Sequence, residues 1–367
     1  MLISSDRPDT PPGEQPAIAS ACGKVILLGE HSVVYGEPAL AVPLLPLRLS
    51  VVLSDPSADR WRALAEASDG SGADDPVPTG PLEEAPTMPF SGDAMATQAM
   101  LVAVGSTLDR EPQPPLRIDL DPDAPEEAHA AVSRALGTAA RALGVPVPLP
   151  LRIAVRTGGL RSGMGTSAAL GVAMSRALLA WHGRALDERV VLAAAEAVER
   201  LFHGNPSGID HTVSALERPL WFVKGQAPEP LAGMMDLTLV LLPRQSARST
   251  VHIVSGVRDR LAESPAMIRT IAEMGRFARL GREAWTDGDL PGLARAMNAH
   301  QESLDRLGVV NQDDKDGIAA ALQAGARAAK ITGAGWGGTL LALVDSEEAG
   351  QAVRLAWGED ALLFRTG

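Results

Sequence analysis

The residues best suited to chemistry lie between Glu199 and Asp210. Glu199 falls near the end of a predicted helix, and His203 stands one turn further along the same face. The chain then breaks at Gly204-Asn205-Pro206-Ser207-Gly208-Ile209-Asp210. A carboxylate is a hard oxygen donor suited to magnesium, which usually takes one or two carboxylates together with phosphate oxygens. A second carboxylate, set after a turn stiffened by Pro206, can face an attacking hydroxyl. The competing reading of Asp210 is a cap for the next helix, a role that aspartate fills well. His203 and His211 suggest a metal site, but the seven histidines are scattered and form no His-Glu-x-x-His pattern, which favours structural roles for both.

Two glycine-rich loops could bring backbone amides to an anion. Arg161-Ser162-Gly163-Met164-Gly165-Thr166-Ser167-Ala168 lies between a predicted strand, Leu151 to Val155, and a predicted helix, Thr166 to His182. Glycines let the backbone approach an oxyanion closely, and the first amides of the following helix point toward it. The Thr166 and Ser167 hydroxyls add groups that reach a phosphate or a magnesium ion. No Gly-x4-Gly-Lys-Ser/Thr pattern occurs in the chain, so this is not a Walker loop. The second loop, Gly333-Ala334-Gly335-Trp336-Gly337-Gly338, formally contains Gly-x-Gly-x-x-Gly. The dinucleotide fingerprint needs a helix after it, whereas a strand, Thr339 to Val344, follows here. That excludes a nicotinamide site and leaves either a tight loop lining a site or a hairpin turn. Lys24 opens the apolar run Val25 to Leu28, which ends on Gly29-Glu30-His31-Ser32. Alone, Lys24 reads as a strand-edge gatekeeper, and Glu30 and His31 read as turn residues.

These residues need a scaffold of mixed elements. Residues 1–16 read as a flexible tail, 18–53 as strands, 54–90 as an irregular loop rich in Asp, Gly, Pro and Ser, and 93–108 and 124–143 as helices. Asp187 caps a helix that Gly204 and Pro206 stop. Leu237 to Leu242 reads as a buried strand. Apolar stripes at Met267, Ile271, Met274 and Phe277, and at Leu293, Met297, Leu304 and Leu307, predict two amphipathic helices. Strands and helices without strict alternation predict an α+β fold. The 367 residues carry 33 Lys and Arg against 45 Asp and Glu, a net charge of −12, which argues against a general nucleic-acid binder. The single cysteine, Cys22, rules out an intrachain disulfide and a cysteine zinc site. The polar amino terminus and the lack of a spanning apolar run predict a cytoplasmic protein with no membrane partner.

Taken in chain order, these segments resemble the three motifs of the galactokinase, homoserine kinase, mevalonate kinase and phosphomevalonate kinase (GHMP) superfamily. Gly29-Glu30-His31 followed by Val33-Val34-Tyr35-Gly36 resembles the mevalonate kinases rather than the galactokinases, and so does His203 through Asp210. Arg248-Ser249-Thr250 and the stretch from Ser303-Leu304 to Gly308-Val309 are also similar. Departures are Cys22 where Pro is usual, Arg161 and Ser162 for small residues, Thr166 for a serine, His211 for a common Asn, and Trp336 for a glycine.

The resemblance implies a two-lobed α+β kinase with its active site in the cleft between the lobes, residues 17–226 forming the amino-terminal domain and 227–367 the carboxy-terminal one. It implies ATP-dependent phosphorylation of the 5-hydroxyl of mevalonate, with another small hydroxy acid or sugar as the alternative acceptor and a catalytically silent ligand sensor as the other class. By residue, it implies Asp210 as base and Lys24 as its partner. Gly163, Met164, Gly165, Thr166, Ser167 and Ala168 would wrap the nucleotide, and Ser167 and Glu199 would hold Mg2+. Glu30, His31, Ser32, Thr250, Gly333, Ala334 and Gly335 would line the substrate side. It leaves room for a homodimer.

Overall fold

The structure is a computed structural model, and it describes residues 16–56, 116–121, 124, 126–161, 163–204, 206–231, 235–244 and 250–366. The expected tail before residue 16, most of the expected loop at 54–90 and the expected helix at 93–108 lie outside the described residues.

Two long strands found the first half. Strand β1 (Ala17–Leu28) runs antiparallel to β2 (Ala39–Ser54). The register shifts between Cys22 and Gly23 and again between Ile26 and Leu28, and such irregularities re-aim side chains. Strand β3 (Leu116–Asp119) pairs in parallel with β4 (Leu151–Arg156), while β5 (Leu220–Phe222) and β6 (Glu229–Pro230) extend the other edge, giving the order β3-β4-β2-β5-β6 with β1 on β2. Helices α1 (Glu126–Leu143), α2 (Thr166–Trp181) and α3 (Glu188–His203) cover this sheet, and α4 (Ile209–Leu216) closes the site end. Helix α2 is apolar nearly all round and is buried accordingly. Its Gly171 lets α3 approach closely, because a Cβ there would sit 3.1 Å from the Ala195 backbone. The predicted ends hold: α2 stops just before Gly183, at φ 63, and the Asp187 side chain accepts from the Arg189 amide to start α3.

The second half is built on an antiparallel sheet of β7 (Thr238–Leu242), β8 (Ala328–Ile331), β9 (Leu340–Val344) and β10 (Leu362–Arg365), ordered β10-β7-β9-β8. Its helices are α5 (Thr250–Glu263), α6 (Pro265–Asp287), α7 (Leu290–Arg306), α8 (Gln312–Gln323) and α9 (Glu347–Trp357). Helices α6 and α7 carry the two predicted apolar stripes and pack on each other. They also cross to the first half: Gly281 on α6 lies so near Leu28 that an added Cβ would fall 2.0 Å from its Cδ1. One apolar cluster therefore includes Leu27 and Leu28 of β1 together with Leu293 and Met297 of α7, and the polar segment following β1 is held between the halves.

Candidate active site

Lys24 enters the site from the middle of β1. Its amide donates to the Met164 carbonyl at 2.8 Å, which ties the strand to the first glycine loop. The aliphatic stem lies across Gly165, where a Cβ would meet the lysine Cγ at 3.0 Å and Cε at 3.1 Å, and φ of 79° at that position also calls for glycine. Lys24 Nζ pairs with Asp210 Oδ2 at 3.0 Å; the lysine is buried and the aspartate side chain is 25 % exposed. Asp210 sits in the first turn of α4, but the cap position is Gly208, so the capping reading of Asp210 does not describe its place. Its carboxylate faces a lysine and remains open to a ligand.

The two residues expected to hold a metal lie on neighbouring helices, each held by a histidine. Ser167, in the first turn of α2, has its Oγ 2.9 Å from His203 Nε2 at the end of α3. Glu199, one turn earlier on α3 and 1 % exposed, has its Oε2 2.6 Å from His211 Nδ1 on α4. His203 and His211 thus have structural partners, as the sequence favours, and those partners are the two expected metal-binding residues. Among the described residues no group of three or more His, Cys, Asp or Glu side chains is placed to hold a metal by itself. A sparse donor set of one carboxylate and one hydroxyl suits magnesium, which keeps waters and takes phosphate oxygens instead of a protein cage. The His211 bond leaves Glu199 Oε1 for such a role.

The segment after β1 is tightly constrained. Gly29 has φ 107, with a Cβ position only 2.4 Å from Ala39 Cβ, and its amide donates to His300 Nε2 at 2.9 Å. His31 adopts φ 61, an uncommon conformation for a residue with a side chain. Its Nε2 donates to the Ala334 carbonyl at 3.0 Å, which leaves Nδ1 as an acceptor in the neutral ring. Burial lowers the His31 pKa to about 4, so the ring is neutral near pH 7. Ser32 Oγ donates back to the Gly29 carbonyl. Glu30 is sealed between the halves and pairs with Lys330, which also donates to the Ile331 carbonyl at 2.7 Å. His300 Nδ1 lies 3.6 Å from Glu30 Oε2. Burial raises the Glu30 pKa and lowers that of Lys330, and each charge pulls the other back.

The second glycine loop abuts the first: a Cβ on Gly333 would be 3.6 Å from Gly163 Cα. Thr332 Oγ1 bonds both the amide and the carbonyl of Ile26, at 3.2 and 3.3 Å, fastening the loop to β1. Gly335 packs on Val309, whose carbonyl accepts from the Trp336 amide at 3.0 Å. The Trp336 indole donates to the Gly308 carbonyl at 3.0 Å and packs on the cluster containing Ile253, Val257 and Val309.

The structure thus gathers Lys24, Asp210, Ser167 and Glu199 at one end of the two glycine loops, with His31 on Ala334 at the other. Glu30 lies beneath, turned to Lys330, and Ser32 to its own turn. Thr250 opens α5, with its side chain outside the described residues, as are Ser162, Asn205, Arg248 and Ser249. Lys330 and His300 escaped sequence reasoning. A signal for Lys330 existed: a lone lysine in an apolar run beside a glycine loop, as at Lys24.

Comparison with known proteins bears on the family and the fold. A family model described as the GHMP kinases N terminal domain matches residues 130–218, and one described as GHMP kinases C terminal matches residues 278–361. The chain is 32% identical to a mevalonate kinase of Thermococcus sibiricus, over 93% of each chain. It is 31% identical to one of Aeropyrum pernix, over 90% of each. Among solved structures it resembles L. major mevalonate kinase in complex with R-mevalonate, with TM-score 0.72, 22% identity and coverage of 98% of this chain and 97% of that one. A Lactococcus lactis galactokinase complexed with galactose has TM-score 0.62, 15% identity and coverage of 96% and 93%, so the fold extends beyond one acceptor.

Proposed function

The chain belongs to the mevalonate kinases of the GHMP kinase family, and we propose that it transfers the γ-phosphoryl group of ATP to the 5-hydroxyl of mevalonate, giving 5-phosphomevalonate and ADP. The observation that carries the mechanism is the Lys24–Asp210 pair set beside the glycine loop of residues 163–168.

In this reading the loop amides and the first turn of α2 bind the triphosphate. Asp210 accepts, or orients, the proton of the attacking hydroxyl from its partly open position. Lys24 stays within reach of both the carboxylate and the charge that develops on the transferring group. Ser167 and Glu199 would hold a magnesium ion, which would supply positive charge against the phosphates, and His203 and His211 keep those two side chains in place. The protein does no covalent chemistry of its own; its contribution is positioning and charge stabilisation. His31, neutral and fixed on Ala334, presents Nδ1 as an acceptor on the acceptor-substrate side, with Ser32, Thr250 and the loop Gly333–Gly335 around it. Glu30 acts from beneath, fixing the Gly29–Ser32 turn through Lys330.

We place the junction between the two domains after Pro230, because β6 still pairs with β5 of the first sheet. No helix among the described residues is long and apolar enough to cross a membrane. ATP use and one buried free cysteine suit a cytoplasmic setting.

A coupled assay for ADP release across mevalonate, phosphomevalonate, galactose and homoserine tests the assignment. Substantial turnover is expected with mevalonate alone. Faster turnover of a sugar or of phosphomevalonate would overturn the substrate while leaving the family intact.

A further inference from the structure

The second glycine loop holds a conformation that one of its residues does not favour. Gly333, Gly335, Trp336 and Gly337 all have positive φ, between 54 and 85°. Glycine takes this freely, whereas a bulky side chain such as Trp336 is rare there. Such a residue persists only where its surroundings fix it, and such residues cluster at functional sites. The connector from α7 to α8 and the start of α8 do the fixing. The Gly308 carbonyl accepts from the Trp336 indole and the Val309 carbonyl from the Trp336 amide, each at 3.0 Å. The next amide, that of Gly337, donates to the Asp314 carboxylate, 3.2 Å from Oδ1 and 3.3 Å from Oδ2.

Asp314 makes more bonds than its helix requires. In the first turn of α8 it forms a capping box with Asn311. The Asn311 side chain accepts from the Asp314 amide at 2.8 Å, and Asp314 Oδ2 accepts from the Asn311 amide at 3.0 Å. The cap uses one carboxylate oxygen and needs no burial. This carboxylate is fully buried, which is costly unless the charge is paired and hydrogen-bonded. It takes the Gly337 amide and pairs with Arg244, just past the end of β7. Arg244 also donates to the Asp313 carbonyl at 3.0 Å. One buried anion therefore joins the end of β7, the start of α8 and the glycine loop. The loop carries this constraint to the site, because the Ala334 carbonyl, three residues before Gly337, accepts from His31 Nε2 at 3.0 Å.

We propose that Asp314 is a positioning residue for the acceptor side of the site. By holding the Gly337 amide it keeps Gly333–Gly338 in the conformation that presents the Ala334 carbonyl to His31. This rests on the mevalonate reading given above. The bond suits the task, since a hydrogen bond to a charged acceptor is about twice as strong as a neutral one.

The test sets the two halves of the capping box against each other. Asp314→Asn keeps an oxygen for the Asn311 amide but turns an NH2 group toward the donors of Gly337 or Arg244. Asn311→Ala removes the cap on the Asp314 amide and leaves the carboxylate on Gly337. Hydrogen exchange is followed over residues 311–318 and 332–339, with melting temperature and steady-state kinetics alongside. Asp314→Asn should speed exchange over 332–339 by roughly 10-fold, the scale of one hydrogen bond to a charged group. It should lower kcat/KM for mevalonate by about the same factor, with the KM for ATP nearly unchanged. Asn311→Ala should lower the melting temperature and speed exchange over 311–318 alone, with wild-type kinetics. Asp314→Glu retains the charge and a standard capping-box residue while moving its oxygens off the Gly337 amide. It decides the matter if the asparagine variant does not fold, and the same loss in loop protection and kcat/KM is expected. If the Asp314 variants only lower the melting temperature, as Asn311→Ala does, Asp314 is a helix cap and the proposal falls. Faster loop exchange with unchanged kcat/KM would overturn the positioning role as well. A wild type that turns over no acceptor would overturn the functional reading instead, and exchange over 332–339 would still decide whether Asp314 holds the loop.

Discussion

Two lysine–carboxylate pairs lie beside the glycine loops, one with its lysine on β1 and the other with its lysine on β8. Lys24 and Asp210 meet at 3.0 Å with the aspartate side chain one-quarter exposed. Lys330 and Glu30 meet with both side chains at or below 1 % exposure. Each lysine sits in an apolar strand next to a glycine loop, and each carboxylate comes from the opposite side of the site. Burial separates their roles. The sealed pair has no access to a substrate, and its two charges are balanced chiefly by each other, with the Ile331 carbonyl accepting a further bond from Lys330, so it joins the two halves. The open pair has one partner anchored and the other within reach of a ligand, which is what proton transfer to or from a substrate requires.

Breaking each pair should therefore fail in a different way. The largest effect is expected at the open one. Asp210→Asn is nearly isosteric and should lower kcat by about 10²–10⁴-fold, with ATP binding retained and little change in melting temperature. At the sealed pair, Lys330→Met leaves Glu30 buried without its partner, and urea denaturation should show a loss of roughly 3–5 kcal/mol. Lys330→Met combined with Glu30→Gln should recover part of that loss, because no stranded charge remains. If Lys330→Met left stability unchanged and altered only kcat, the two pairs would not divide the work as described.

A smaller effect tests the turn between the pairs. Burial holds the His31 pKa at about 4 against an ordinary 6.5, and His300 is lowered in the same direction. As pH falls below 6.5 the unfolded chain takes up these protons before the folded one does. The stability present above pH 6.5 is therefore lost progressively toward pH 4, by roughly 3 kcal/mol for His31. His31→Asn, which tolerates the positive φ, should show a shallower fall of melting temperature between pH 7 and 4. An unchanged slope would mean that the ring is not the buried neutral group described.

Much of the open region was legible in the sequence. Lys24 before an apolar run, the glycine loop ahead of Thr166, and Asp210 after a Pro-Gly turn are local patterns whose backbone requirements show in residue type. The sealed region was not. Glu30 and Lys330 are 300 residues apart, and only the tertiary fold shows that the carboxylate turns toward β8. His203 and His211 read as structural residues, and their contacts with Ser167 and Glu199 depend on how α2, α3 and α4 pack. The short strands β3, β5, β6 and β10 carry too few residues for a period to emerge; they form because longer neighbours offer them an edge. The long helices α2, α6 and α7 were legible because their stripes and stops repeat over several turns.

The central claim is that Lys24 and Asp210 act as one unit in the chemical step. A double-mutant cycle in single-turnover kcat, using Lys24→Met, Asp210→Asn and the combination with saturating ATP, magnesium and mevalonate, measures it directly. Each single variant should lose about 10²–10⁴-fold, and the double variant should be little slower than the worse of the two, since removing either member already disables the pair. Losses that multiply in the double variant, or near-parental turnover in Asp210→Asn, would contradict the account.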